Sequence, residues 1–260
     1  MEVVIAPADD LAVLAADAVE GLLRRRPSAV LGLATGSSPL RVYDELARRH
    51  DEEGLSFDRA RGFLLDEYVG LAAEHPQRYR NVIEREIVSR VGWDPAAVQG
   101  PDGLADDLTT ACAAFEQAIA AAGGVDLQLL GIGTDGHIAF NEPGSSLASR
   151  VRIKTLTEQT RVDNARFFDG DVDRVPRHCL TQGLGTIMEA RHLVLLATGR
   201  RKAEAVHQLV EGPISALWPA TIMQMHPHAT VLVDDAAASR LQLADYYRQT
   251  YRDKPAWQGL

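Results

Sequence analysis

Six short, mostly apolar runs, at 2–6, 29–35, 62–67, 125–132, 191–198 and 229–234, constrain this chain more than any other feature. Runs this continuous describe strands covered on both faces, the habit of a parallel sheet. Between them the apolar residues move to helical spacing. Residues 9–26 place Leu11, Leu14, Ala15, Ala18, Val19 and Leu22 on one face, with Asp9 or Asp10 set to cap the helix. Further helices are expected from about Pro39 and over 77–92, 105–122, 201–211 and 236–251. Strand alternating with helix predicts an α/β fold of Rossmann-like type, a doubly wound, mainly parallel sheet with helices on both faces. We expect a single domain over 1–260. The rhythm fails at 150–185, which is polar, weakly periodic and rich in Asp and Arg. A segment of that kind is more often functional than filler, so a lid is expected at about 155–180.

Composition removes several function classes. The 260 residues carry a net charge of −9, which argues against a nucleic-acid partner. No apolar run approaches the roughly 20 residues of a membrane span, and the first residues lack the pattern of a secretory signal. Cys112 and Cys179 have neither metal-ligand nor disulfide-framework spacing, so no metal is expected and a cytoplasmic location is the default. Of the 27 basic residues only Lys154, Lys202 and Lys254 are lysines.

In open α/β sheets ligands bind beyond the carboxyl ends of the strands, and four such ends carry chemistry here. Thr35-Gly36-Ser37-Ser38-Pro39 offers a glycine for close approach, two serine hydroxyls and a helix start whose N–H groups suit phosphate; a plain capped turn is the alternative. Asp66-Glu67-Tyr68 closes the run at 62–67, and adjacent strand residues face opposite ways, so one carboxylate at most faces a given site. A carboxylate there can take a proton from carbon beside a carbonyl, or merely cap a loop. Gly131-x-Gly133-x-x-Gly136 matches a dinucleotide fingerprint in letters, but Pro143 and Gly144 break the helix that the fingerprint needs. In place of that helix the chain sets His137 between Asp135 and Glu142, a group suited to moving protons. Arg200-Arg201-Lys202 opposes the dipole of the helix it begins, a conflict that a bound anion relieves. Lys202 with Thr35–Ser38 reads as a phosphate pocket built from distant segments, over which Arg166 of the lid can close. The parts suggest isomerase-like or hydrolytic chemistry on a small sugar phosphate.

The residues carry a family likeness over essentially the whole chain. Leu-Asp-Glu-Tyr-Val-Gly-Leu at 65–71, Gly-x-Gly-x-Asp-Gly-His-Ile-Ala-Phe-Asn-Glu-Pro at 131–143 and Ser-Ser-Leu-Ala-Ser-Arg-Val-Arg-Ile-Lys-Thr-Leu-Thr at 145–157 resemble glucosamine-6-phosphate deaminases, also called isomerases. The resemblance implies isomerising deamination of glucosamine 6-phosphate to fructose 6-phosphate and ammonia, in N-acetylglucosamine catabolism, without metal or organic cofactor. It implies that His137 relays the proton in ring opening with Asp135 and Glu142 as partners, and that Asp66 carries a proton from C2 to C1. Thr35, Gly36, Ser37, Ser38, Arg166 and Lys202 correspond to its phosphate site. For Asp66 to be ionised we expect burial balanced by nearby donors rather than a strongly raised pKa. The family includes hexamers activated by N-acetylglucosamine 6-phosphate, and Ser145, Arg152, Lys154 and Thr155 match their effector site. Arg152 and Lys154 alternate, so both project to one face of an extended segment. A homo-oligomer is therefore expected.

Two other readings compete. A 6-phosphogluconolactonase shares the Gly-x-Gly-x-Asp-Gly-His turn, but Ile138-Ala-Phe-Asn-Glu142 and Asp66-Glu67-Tyr68 are not expected in that hydrolase. A non-catalytic sugar-phosphate sensor would carry a DNA-binding segment ahead of its first strand, which here begins at residue 2, and has no need of a complete proton relay.

Overall fold

A computed structural model describes residues 1–255 and 257–260, and Ser37 by its backbone alone. The apolar runs become strands β1 (Glu2–Ile5), β2 (Val30–Leu33), β3 (Arg61–Leu64), β6 (Leu127–Leu130), β9 (Leu193–Ala197) and β10 (Ala229–Val233), with β5 (Val98–Gln99) added at one edge. Every pairing is parallel, in the order β1-β10-β9-β6-β2-β3-β5. Strands β2, β6, β9 and β10 are buried along their whole length, as the continuous apolar runs require. From β2 the chain proceeds outward to β3 and β5, and from β6 it proceeds the other way to β9 and β10. The sheet therefore has its switch point between β2 and β6, where Leu31 pairs with Leu127 and Gly32 with Gln128. A crevice beyond the carboxyl ends of these two strands is the expected ligand position.

Helices α1 (Ala8–Arg25), α2 (Ser37–Glu53), α4 (Leu108–Ala121) and α7 (Ala203–Glu211) cover the sheet, joined by short α3 (Tyr79–Ile83), α5 (Glu158–Asn164), α6 (Leu184–Ile187) and the terminal α8 (Ala244–Arg252). Helix α1 buries Leu11, Ala12, Ala15, Ala16, Val19 and Leu23. Its N-cap is Pro7 rather than an aspartate; Asp9 and Asp10 lie in its first turn and Arg24 and Arg25 in its last, where each charge favours the helix dipole. The expected helix over 77–92 begins at Tyr79 and ends in a π turn and a 3₁₀ turn at Val91. The last helix starts eight residues later than its pattern suggested, because Asp234 holds the chain in turns by accepting from the Ala237 and Gly199 N–H groups.

Two departures bear on the site. The run at 62–67 is broken at Leu65, whose N–H donates to Leu33 of the main sheet while its carbonyl accepts from Gln182. Beyond it, β4 (Asp66–Tyr68) joins β8 (His178–Thr181) and β7 (Arg152–Thr155) in a separate antiparallel sheet. The segment at 150–185 is thus built from β7, α5 and β8. A second apolar cluster, with Tyr68, Phe140, Leu156, Phe168, Val175 and Cys179 buried in it, packs this segment against β4.

Candidate active site

The switch point brings the phosphate candidates to one end of the sheet. Strand β2 leads into Thr35 and then Gly36, which caps α2 at φ +104°, a conformation that favours glycine. Among the described residues no side chain caps α2, and the first N–H groups of a helix are its donors for an outside acceptor. The Tyr43 hydroxyl fixes this turn from below, donating to Ala34 O at 2.8 Å and accepting from Ala34 N at 3.1 Å. Across the crevice, Lys202 sits in the 3₁₀ turn Arg200–Lys202 and donates to Ile132 O, just past β6, at 2.6 Å. Burial pushes the Lys202 ammonium below its usual pKa, and the nearby positive charges of Arg166 and Arg201 push the same way. Three such neighbouring cations suit a phosphate. Arg166 is exposed and stacks on Phe167 at 4.7 Å. Ser38 is half-buried, and the Ser37 side chain lies outside the described residues.

The two carboxylates of β4 have opposite fates. Glu67 is 1% exposed and accepts from the backbone N–H groups of Tyr68, Tyr79 and Arg80, each at 2.9 Å. It is the anchor that begins α3. Asp66 is 6% exposed, and its carboxylate accepts no hydrogen bond from the described residues. Burial, reinforced by the Glu67 charge, raises its pKa well above the ordinary carboxylate range. The expected balancing donors are absent among the described residues, and the carboxyl pKa is strongly raised where burial was expected to be balanced.

The Gly133–Glu142 turn is pinned to the small sheet. Gly133 N donates to His137 O, and Phe140 N to the Thr181 hydroxyl at 3.1 Å; Thr181 itself pairs in register with Asp66. Asn141 Nδ2 donates to Ile138 O and Gln182 O. Gly136 has φ +81°, and a Cβ there would meet Trp218 at 2.6 Å, so both backbone and space demand glycine. No helix opens directly after these glycines, as the dinucleotide fingerprint would require: among the described residues the next one is α5. His137 Nδ1 stands 2.7 Å from Asp135 Oδ1, close enough for charge pairing although out of line for an N–H···O bond. Burial opposes the Asp135 charge, but the His137 ring and backbone N–H outweigh it and hold the carboxyl below its usual pKa.

Glu142 departs from its expected partnership. It is 3% exposed and accepts from Thr157 N at 3.2 Å, Thr157 Oγ1 at 3.0 Å and Thr160 Oγ1 at 2.5 Å. Its hydrogen bonds therefore go to the start of α5, and none joins it to His137 among the described residues. Thr157, which caps α5, Thr160 and Tyr79, which donates from its backbone to Glu67 and from its hydroxyl to Tyr68, were missed by sequence reasoning. The Thr-x-x-Thr spacing at a helix start was the available signal for the first two; nothing marked Tyr79.

The effector candidates are only partly gathered. Arg152 and Lys154 share one face of β7, while Thr155 is exposed on the other. Burial lowers the Arg152 pKa. The Ser145 hydroxyl is buried without a hydrogen-bond partner, and no described contact joins it to Arg152 or Lys154. A cavity of about 660 Å³ lies instead at the opposite end of the sheet, beside Arg25, Asp126, His192, His228 and Lys254, and contains none of the candidate residues. No described helix is long and apolar enough to cross a membrane.

Both the sequence and the fold have relatives among known proteins. Residues 5–232 match the family model of glucosamine-6-phosphate isomerases/6-phosphogluconolactonase. The chain is 72% identical to a glucosamine-6-phosphate deaminase of Mycolicibacterium smegmatis and 73% identical to one of Beutenbergia cavernae, each over the full length of both chains. Its fold matches a monomeric glucosamine-6-phosphate deaminase of known structure at a TM-score of 0.90 and 42% identity, covering 92% of this chain and 99% of that one. A 6-phosphogluconolactonase from Trypanosoma brucei shares the fold at a TM-score of 0.74 but only 20% identity, covering 92% and 98%. The chain belongs to the glucosamine-6-phosphate isomerase/6-phosphogluconolactonase family.

Proposed function

We propose that this enzyme converts glucosamine 6-phosphate and water to fructose 6-phosphate and ammonia, as a cytoplasmic step of amino-sugar catabolism. The observation that carries the reading is Asp66: a buried carboxylate, without donors among the described residues, at the end of the sheet that also holds a His137–Asp135 pair and three phosphate-seeking cations. The phosphate is bound by the Thr35–Ser38 turn with Lys202 and Arg166. His137, oriented by Asp135, takes the proton of the anomeric hydroxyl and delivers one to the ring oxygen, opening the ring. Asp66 then removes the C2 proton, giving the enolamine, and returns a proton at C1. Water adds to the resulting C2 iminium and ammonia departs.

The raised pKa of Asp66 fits this sequence of steps. A substrate ammonium placed beside the carboxylate supplies a positive charge, and so favours the ionised base once substrate is bound. Glu142 acts from its hydrogen bonds to Thr157 and Thr160, joining the catalytic turn to the start of the lid.

Activation by N-acetylglucosamine 6-phosphate in a homo-oligomer is part of the same proposal, supported by the desolvated Arg152, its neighbour Lys154 on the same face and the unpartnered Ser145 hydroxyl. A coupled assay for fructose 6-phosphate, run with and without N-acetylglucosamine 6-phosphate, tests both parts. Turnover supports the deaminase, and a change from sigmoidal to hyperbolic kinetics supports the effector site. Hydrolysis of 6-phosphogluconolactone in place of deamination would refute the reading.

A further inference from the structure

A run of hydrogen-bonded side chains leads from the lid towards the phosphate turn. Asn164, the last residue of α5, donates from Nδ2 to the Tyr68 hydroxyl at 2.9 Å. The same hydroxyl accepts from Tyr79 at 3.3 Å, and the Tyr79 phenol lies near Thr35, whose hydroxyl partly offsets the effect of burial on it. Packing holds the chain together. The Tyr68 and Tyr79 rings lie 4.8 Å apart, Tyr79 stacks on Phe140 at 6.0 Å, and Phe168 of the lid meets Tyr68 edge-on at 5.8 Å. Tyr68 is 1% exposed, and Glu67 fixes the backbone of both tyrosines through their N–H groups. Burial raises the pKa of both phenols, so they remain neutral hydroxyls that pass dipoles rather than charge.

One end of this run, Tyr79, lies near Thr35, and the other, Asn164, lies two residues before Arg166. We propose that Tyr68, Tyr79 and Asn164 are positioning residues that tie the Thr35 side of the phosphate pocket to the Arg166 side, so that the two halves assemble as one unit. The proposal rests on the sugar-phosphate reading of the crevice. Its physical basis is preorganisation: Arg166 is an exposed, rotamer-rich side chain on a short segment, and ordering the backbone that carries it lowers the entropy lost when phosphate binds. None of the three residues needs to touch the substrate.

The test measures binding of inorganic phosphate by calorimetry, beside KM and kcat on glucosamine 6-phosphate. Asn164→Ala and Tyr68→Phe are each expected to weaken phosphate binding and raise KM by roughly 3–10-fold, with kcat changed less than twofold. In an Arg166→Ala background Asn164→Ala should add little, since it acts through that arginine. Should Tyr68→Phe fail to fold, Asn164→Ala at the half-exposed helix end carries the test. Unchanged phosphate affinity and KM in Asn164→Ala, or effects that multiply fully in the double variant, would overturn the proposal. A wild type that binds phosphate through Arg166 yet leaves glucosamine 6-phosphate intact refutes the deaminase and leaves this assignment standing. Phosphate affinity indifferent to Arg166→Ala refutes the assignment itself.

Discussion

Replacing Asp66 by asparagine separates activity from stability in opposite directions. Asp66 is 6% exposed, has no donor among the described residues and is followed in the chain by the Glu67 charge, so its ionised form is disfavoured in the fold. A carboxyl whose folded pKa is raised binds more protons native than unfolded, and stability then falls as pH rises between the unfolded and folded pKa values. Below the ordinary carboxylate pKa both states are protonated and the penalty is absent. An uncompensated buried polar group costs about 1–3 kcal/mol, and 1 kcal/mol moves Tm by roughly 2–4 °C in a chain of this size. Asp66→Asn should therefore raise Tm by roughly 2–12 °C near pH 8, with the gain shrinking as pH falls towards 4. Turnover should drop by at least the 10²–10⁴-fold expected for loss of a positioned base. Scanning calorimetry across pH with the coupled assay reads both. A lower Tm for Asp66→Asn at pH 8 would show that the carboxylate is a held structural group, and the reasoning would fail.

Other perturbations act on the same contacts. His137→Gln should slow turnover through ring opening, so the loss should be large on the cyclic substrate and small on an open-chain analogue; equal losses on both would remove His137 from that step. Lys202→Met deletes a charge-assisted contact and should raise KM by roughly 10–100-fold. Because the Lys202 pKa is lowered, phosphate affinity in the wild type should weaken earlier on the alkaline side than in Lys202→Arg, measured as KM against pH. Gly136→Ala meets both the positive φ and Trp218, and should cost about 1–3 kcal/mol in thermal unfolding. Thr160→Val removes one donor to Glu142 and should lower both Tm and kcat, with Thr160→Ser restoring them.

The parallel sheet was legible because its strands are buried on both faces and so spell themselves as apolar runs. The small sheet was not. Strand β7 alternates between half-buried and exposed residues, and β4 hides inside a run that Leu65 divides by bonding to two sheets at once. At the site, sequence reasoning found side chains on the strand ends and misjudged their partners. Glu142 lies five positions after His137, yet its partners are Thr157 and Thr160, set by where α5 begins. The opposite fates of Asp66 and Glu67 stem from strand alternation, whereas the donors to Glu67 arrive from residues 79 and 80, which only the fold brings near. Tyr79 gave no signal because its role depends on contacts with Thr35, Tyr68 and Phe140 from three separate segments.

The most direct measurement is product analysis of glucosamine 6-phosphate incubated with the wild type and with Asp66→Asn, quantifying fructose 6-phosphate and ammonia together. The account predicts equal amounts of the two from the wild type and neither above background from Asp66→Asn. No deamination by the wild type, or undiminished deamination by Asp66→Asn, would contradict it.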